Sequence, residues 1–145
     1  MKKILFLLSF LILLATVDTV AQGTTMTVGA VAAQPGAVVS VPINVTNFRN
    51  VGSISLRLSY TTSVLTFDTL TNAPANIIFN AAGGVLTIAW FDPTGTTPLN
   101  IGTGTLLNMR FRYAAGASPV SFITAQCQIT DSLGSTIPVT FANGG

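Results

Sequence analysis

Histidine and glutamate are absent from this chain of 145 residues, and lysine occurs only as Lys2 and Lys3. Cysteine occurs once, as Cys127, and charged residues make up only 7% of the sequence. Each scarcity excludes something. A serine or cysteine nucleophile needs a neighbouring base, and without histidine the usual one is missing. Zinc sites want clusters of histidine and cysteine, and there are none. No run of Asp and Asn has the spacing of a calcium loop. The glycine-rich pieces do not open helices, so they do not cradle phosphates. A single cysteine closes no intrachain disulfide; Cys127 reads as a small buried hydrophobe, with an intermolecular bridge as the alternative. The chain therefore reads as one without catalytic residues, metal or cofactor.

What charge there is lies apart. Beyond the first residues the cations are Arg49, Arg57, Arg110 and Arg112, and the acids are Asp68, Asp92 and Asp131. Four scattered arginines make no nucleic-acid footprint. Nor do they form a basic amphipathic helix for a membrane surface. Glycoside hydrolysis needs two carboxyls flanking one bond. Asp68 and Asp92 offer the one pairing worth asking about, but isolated aspartates at strand ends ordinarily form turns.

The amino terminus has a layout of its own. Met1-Lys2-Lys3 is basic, residues 4–15 are almost wholly apolar, and Thr19-Val20-Ala21 brings a small residue before a cut. This is the pattern of a secretory signal peptide, residues 1–21, cleaved between Ala21 and Gln22. The apolar run is shorter than the ~20 residues that span a membrane. No cysteine stands at the cut to carry a lipid. The expectation is a secreted or cell-surface bacterial product with no membrane segment, whose one domain is residues 22–145.

Within that domain nearly every segment has period two. Val39, Val41, Ile43 and Val45 alternate with Ser40, Pro42, Asn44 and Thr46. Ile54, Leu56, Leu58 and Tyr60 alternate with Ser53, Ser55, Arg57 and Ser59. Leu86, Ile88 and Trp90 alternate with Thr87, Ala89 and Phe91. Leu107, Met109, Phe111 and Tyr113 alternate with Asn108, Arg110 and Arg112. Shorter runs at Met26–Val28, residues 64–68, residues 77–79, Val120–Phe122 and Val139–Phe141 complete the set. Alternation of this kind predicts half-buried strands. Turn residues separate them: Gln34-Pro35-Gly36, Ala82-Gly83-Gly84, Asp92-Pro93-Thr94-Gly95, Gly102-Thr103-Gly104 and Asp131-Ser132-Leu133-Gly134. The fold class expected is all-β, a two-sheet sandwich or jelly roll. Pro42 inside a strand marks an edge or a locally unpaired position. Asn44-Val45-Thr46 is a glycosylation sequon, with Asn44 expected to face solvent. The sequence stops at Asn143-Gly144-Gly145, just after an apolar pair, which reads as a piece of a longer protein.

The order of these pieces resembles a cohesin domain. "VGAVAAQPGAVVSVPINVTNFRNVGSISLRLSYTTSVLTF" is similar to the opening half of that family: a Val-Gly pair, a Pro-Gly turn, an alternating strand, an Asn-containing turn, a strand ending in Tyr, and a "VL" strand. "GGVLTIAWFD", "GTLLNMRFRY" and "SPVSFITAQCQITDSLGSTIPVTFANGG" resemble its later strands. The resemblance spans residues 28–145. Two departures stand out: Thr61 replaces the family's Asp after the tyrosine, and the family's last strand continues beyond the Asn-Gly turn where this sequence stops. The resemblance implies a nine-stranded jelly roll, with the last strand truncated. It also implies a job, the docking of a dockerin-bearing protein, which in cellulosomes assembles polysaccharide-degrading enzymes.

By position, the resemblance places the partner on the outward set of two strands: Ser53, Ser55, Arg57, Thr87, Ala89 and Phe91, with Asp92 at the strand end. Family members that bind tightly often carry Asn and Asp where Ser53 and Ser55 stand. The residues alone leave this face open between a solvated sheet surface and an interaction surface. Phe91 favours interaction, because an outward phenylalanine wants a cover, provided no bulge reverses the parity. Two alternatives stand beside docking: a carbohydrate-binding module of the same fold, taking polysaccharide, and an adhesive sandwich with no dedicated ligand. Sugar binding wants a row of exposed aromatics, and the parity of Trp90 sends it to the core.

The purified chain turns over no glycoside. Hydrolysis that is abolished by an Asp→Asn change at position 68, 92 or 131 would overturn it.

Overall fold

The computed structural model describes residues 23–143; the expected signal peptide, residues 1–21, lies outside them. The described residues form ten strand segments: β1 Thr24–Val28, β2 Val38–Phe48, β3 Val51–Ser59, β4 Leu65–Thr71, β5 Ile78–Ala82, β6 Val85–Phe91, β7 Gly102–Tyr113, β8 Ser121–Phe122, β9 Gln128–Asp131 and β10 Val139–Ala142. A short 3-10 turn, Thr124–Gln126, separates β8 from β9. Among the described residues no helix is long and apolar enough to cross a membrane.

Two sheets result. The first has the order β10-β1-β2-β7-β4; the second runs β5-β6-β3-β8, and β9 also pairs with β3. Both β8 and β9 are antiparallel to β3. They are two halves of one edge strand interrupted by the 3-10 turn, so the sandwich has nine strand positions, the number expected. All pairings are antiparallel except β1 with β10. The last described strand, β10, lies against β1 from Thr24↔Val139 to Thr27↔Ala142.

Alternation explains the core. Successive residues of a strand face opposite sides, so the apolar parities of both sheets meet between them. Ile43, Met109 and Phe111 from one sheet face Ile54, Leu56, Leu58, Leu86 and Ile88 from the other, all buried. Trp90 is buried as its parity requires, and its indole N–H donates to the carbonyl of Ala75 at 2.9 Å. That bond removes the cost of burying a polar N–H. Phe111 is met edge-on by Tyr60 and Phe67, with centroids 5.2 and 5.6 Å away.

Three details depart from simple alternation. Pro42 sits in β2, the central strand of its sheet, so it does not mark an edge. It stands where β1 has just ended, and its carbonyl accepts from Gly29 N–H at 2.8 Å. The missing proline N–H thus falls at a locally unpaired position. Second, the register of β2 against β7 shifts between Ile43↔Leu107 and Asn44↔Thr105. Leu106 is the extra residue, and this bulge buries Leu106 and Leu107 in succession. Third, β5 begins at Ile78 rather than Ile77, and its outward residue is Ile78, 59% exposed.

The β5–β6 hairpin turns on Gly83 and Gly84, both in the left-handed region, at φ 59° and 79°. This is the backbone that matches the twist of the flanking strands. At the start of β3, Gly52 permits a close approach: a Cβ there would lie 2.5 Å from the Asp131 carbonyl oxygen and 2.9 Å from its carbon. Both atoms are backbone and have no rotamer to escape into.

Gly52→Ala is therefore expected to destabilise the domain by about 1–3 kcal/mol, lowering the thermal midpoint by several degrees. Gly23→Ala, which meets nothing within 4 Å, serves as the control. Equal midpoints for the two variants would show that β3 and the Asp131 backbone separate without cost.

Candidate functional site

The outward face of the second sheet is set by the register of β3. Ser53 pairs with Phe91, Ser55 with Ala89 and Arg57 with Thr87. The buried residues between them, Ile54 and Leu56, point the other way. Six of the seven residues expected on this face are thus cross-strand neighbours on adjacent strands. Phe91 is 59% exposed and outward, as its parity requires.

The rows extend further on both sides. Ile78 of β5 pairs with Ala89, and Asn80 pairs with Thr87. On the far side Thr130 pairs with Ser53, and Gln128 with Ser55. The surface is therefore four strands wide. One corner, Phe91 with Ala89 and Ile78, is apolar. Ser53 and Thr130 share a hydroxyl–hydroxyl bond that ties β3 to β9.

Arg57 occupies a special place. β9 pairs with β3 up to Ser55, and β8 begins at Leu58. Arg57 falls in the gap, beside the 3-10 turn. Its carbonyl accepts from Ile123 N–H at 2.8 Å, and its N–H donates to Cys127 Sγ at 3.4 Å. Its guanidinium donates from Nη1 to Gln126 Oε1 at 2.9 Å. The break in the edge strand thus supplies the side chain that steadies Arg57. Cys127 is half-buried and packs on the core. Burial pushes its thiol pKa up, against the opposing hydrogen bond from the Arg57 backbone.

Asp92, the seventh, follows the last residue of β6 and turns its carboxylate toward its own loop. Its Oδ1 accepts from Thr94 N–H and from the hydroxyls of Thr94 and Thr97, and its Oδ2 from Thr97 N–H at 2.7 Å. Desolvation works to raise its pKa, but the hydrogen bonds from Thr97 and Thr94 outweigh it and hold the carboxyl below its ordinary value. Asp92 folds the loop that follows β6. Asp131 does the same after β9, where Oδ1 accepts from Leu133 and Ser135 N–H, both at 2.9 Å. Asp68 belongs to the opposite sheet and pairs with Arg110, Nη2 to Oδ2 at 2.6 Å. The three carboxylates are each committed elsewhere, and Asp68 and Asp92 stand on different sheets. Among the described residues no group of His, Cys, Asp or Glu is placed to hold a metal.

A cleft of about 500 Å³ lies between residues 29–33 and 116–120, lined mainly by aliphatic side chains such as Val39, Val41 and Leu65. It contains none of the seven residues. Asn44 of the sequon faces outward from the first sheet and accepts from Thr105 Oγ1 at 2.9 Å.

Sequence reasoning missed Ile78, Gln126, Gln128 and Thr130. The run Ile77-Ile78-Phe79 is apolar at three successive positions, so no alternation reveals which one faces out. β9 is four residues long and follows a break, which hides its register from the pattern.

The cohesin domain family model matches residues 24–145. A cohesin from Clostridium acetobutylicum, solved in solution, is 26% identical, with a TM-score of 0.75 over 85% of this chain and 88% of that one. A non-cellulosomal cohesin from the archaeon Archaeoglobus fulgidus is 25% identical, with a TM-score of 0.71 over 85% and 88%. The sixth cohesin of scaffoldin B from Acetivibrio cellulolyticus, solved in complex with a dockerin, shares the fold at 20% identity and a TM-score of 0.75, over 85% and 96%. No curated protein matches the chain. With the family model covering the whole described sandwich, the chain belongs to the cohesin family.

Proposed function

We propose that this domain is a non-catalytic module that docks a dockerin-bearing protein through the outward face of the second sheet. The observation that carries the reading is the position of Phe91. It is 59% exposed, and among the described strand residues of this sheet Ile78, its neighbour across Ala89, is the one other large apolar side chain that is more than half exposed. An exposed apolar corner beside a fixed arginine has the composition of an interface anchor. Ser53, Ser55, Thr87 and Ala89 are small, so a partner is able to approach the backbone closely. Membership in the cohesin family and the dockerin held by the related Acetivibrio cohesin support the same reading. Export, by way of residues 1–21, belongs to this proposal, with the mass of the product in the medium as its check.

Carbohydrate binding has less to support it. Trp90 is buried, and Phe79, 39% exposed, turns edge-on to Phe67 at 5.7 Å. The exposed aromatics do not form a row on which sugar rings stack. The archaeal match is to a cohesin outside any cellulosome, so family membership carries no polysaccharide with it.

The test is titration calorimetry against dockerin modules encoded by the organism that makes the chain. Arg57→Ala and Phe91→Ala should each weaken binding by roughly thirtyfold, the effect of losing an interface hot spot worth ~2 kcal/mol. Arg110→Ala, on the opposite sheet, should bind as the unaltered chain does. Loss with Arg110→Ala alone would move the site to the first sheet, and equal binding by all three would remove the docking face.

A further inference from the structure

We propose that the partner of this face presents a carboxylate to Arg57 and an aliphatic side chain to Phe91, two helical turns apart, and that a basic residue opposite Arg57 excludes a dockerin from binding. This rests on the docking reading above and names the chemistry of its partner.

The charge on the face is one-sided. Among the described residues, Arg57 is the one charged side chain at the outward paired positions of β5, β6, β3 and β9; Asp131, the last residue of β9, pairs with the buried Val51. The two carboxylates nearest its margin are spoken for. Asp92 accepts four hydrogen bonds from Thr94 and Thr97, and Asp131 accepts from Leu133 and Ser135. Each carboxylate is thus turned to its own loop at the margin of the face. The outward rows themselves offer a guanidinium, neutral polar groups and apolar surface, and no anion.

Arg57 is prepared to give hydrogen bonds. A guanidinium carries five N–H donors, and Gln126 takes one of them. That bond holds the group at the edge of the face while leaving its remaining donors for a carboxylate, the acceptor whose geometry suits a planar fork. A partner that brought no acceptor would strip water from a charge without replacing it, and a partner cation there would add repulsion.

The spacing follows from strand geometry. Arg57 lies four residues along β3 from Ser53, which pairs with Phe91 on the next strand. Four steps of about 3.3 Å and one strand spacing of about 4.8 Å separate the two Cα atoms by roughly 14 Å. On a helix rising about 1.5 Å per residue, positions i and i+7 share a face and lie roughly 10 Å apart. Gln126 stands beyond β3 on the side away from β6, so its bond draws the guanidinium away from Phe91; the stems of a partner glutamate and leucine, splayed in opposite directions along the helix, span the difference. An acidic residue and an aliphatic residue at i and i+7 therefore meet both anchors at once.

The experiment is a yeast-display selection. A dockerin scaffold with its contact-helix positions randomised is sorted against the purified chain, and separately against Arg57→Glu, Phe91→Ala and Arg112→Glu. Arg112 lies on the other sheet, so its variant controls for net charge. The proposal expects Asp or Glu seven residues from Leu, Ile or Val among binders of the unaltered chain and of Arg112→Glu. Against Arg57→Glu the acidic position should turn to Lys or Arg, and clones chosen on the unaltered chain should lose at least tenfold in affinity. Binders that need Phe91 but show no acidic preference would overturn this charge rule while leaving the docking face intact. Binders indifferent to both Arg57 and Phe91 would overturn the face as well.

Discussion

The register between β3 and β6 holds the rest of the molecule in place. Leu56 and Leu58 are fully buried opposite Ile88 and Leu86, and in the same ladder Arg57 and Ser55 lie opposite Thr87 and Ala89. Because side chains alternate strictly, a slip of one residue would send every leucine to water and every serine inward. Burying a leucine is worth about 1.5–3 kcal/mol, so several side chains along this one strand resist the slip together. The same constraint that makes a core therefore draws the outer surface. The face is flat and small because its residues are what remains after the apolar parity has gone inside.

The scarcity of charge sharpens that surface. A chain with few ions has little to spend on loops, and this one uses its aspartates there. Asp92 and Asp131 replace the backbone partners that loop N–H groups would otherwise lack. Asp68 is matched to Arg110 on the first sheet, where both side chains are partly exposed and the pair adds little stability. What is left on the second sheet is a guanidinium with a neutral amide beside it. In water such a group rests comfortably. Against a partner it is the one element whose electrostatics depend on what is brought to it.

Much of this was legible in the sequence. The alternation of Ser53 to Tyr60 and of Leu86 to Phe91 marked both strands, their faces and the burial of Trp90. The short strands and the turns between them pointed to a two-sheet sandwich, and the resemblance to cohesins implied its nine strands. What the pattern hid has physical causes. A bulge at Leu106 makes two neighbours point inward, and a period of two has no way to express that. Pro42 lacks an N–H only where β1 has stopped, a fact of tertiary pairing and not of the residue. Asp92 was placed at the strand end of the face by position in the resemblance. Its oxygens are instead taken by Thr94 and Thr97, contacts between residues close in sequence that register arguments do not weigh. Gln126 stands on a 3-10 turn, a short element with no periodic signal.

The break between β8 and β9 links the edge of the sheet to its face. A continuous edge strand would pair with β3 through Arg57 and leave its own outer edge open to another chain. Here Ile123 N–H and Cys127 Sγ serve the Arg57 backbone instead. The 3-10 turn interrupts the open edge where it would be longest, and its Gln126 reaches the guanidinium. An irregularity that shortens an edge thus also fixes the one charge on the face. Restoring a regular strand through residues 123–127 would lengthen the open edge and free Arg57 from its support, exchanging a defined anchor for a flexible one.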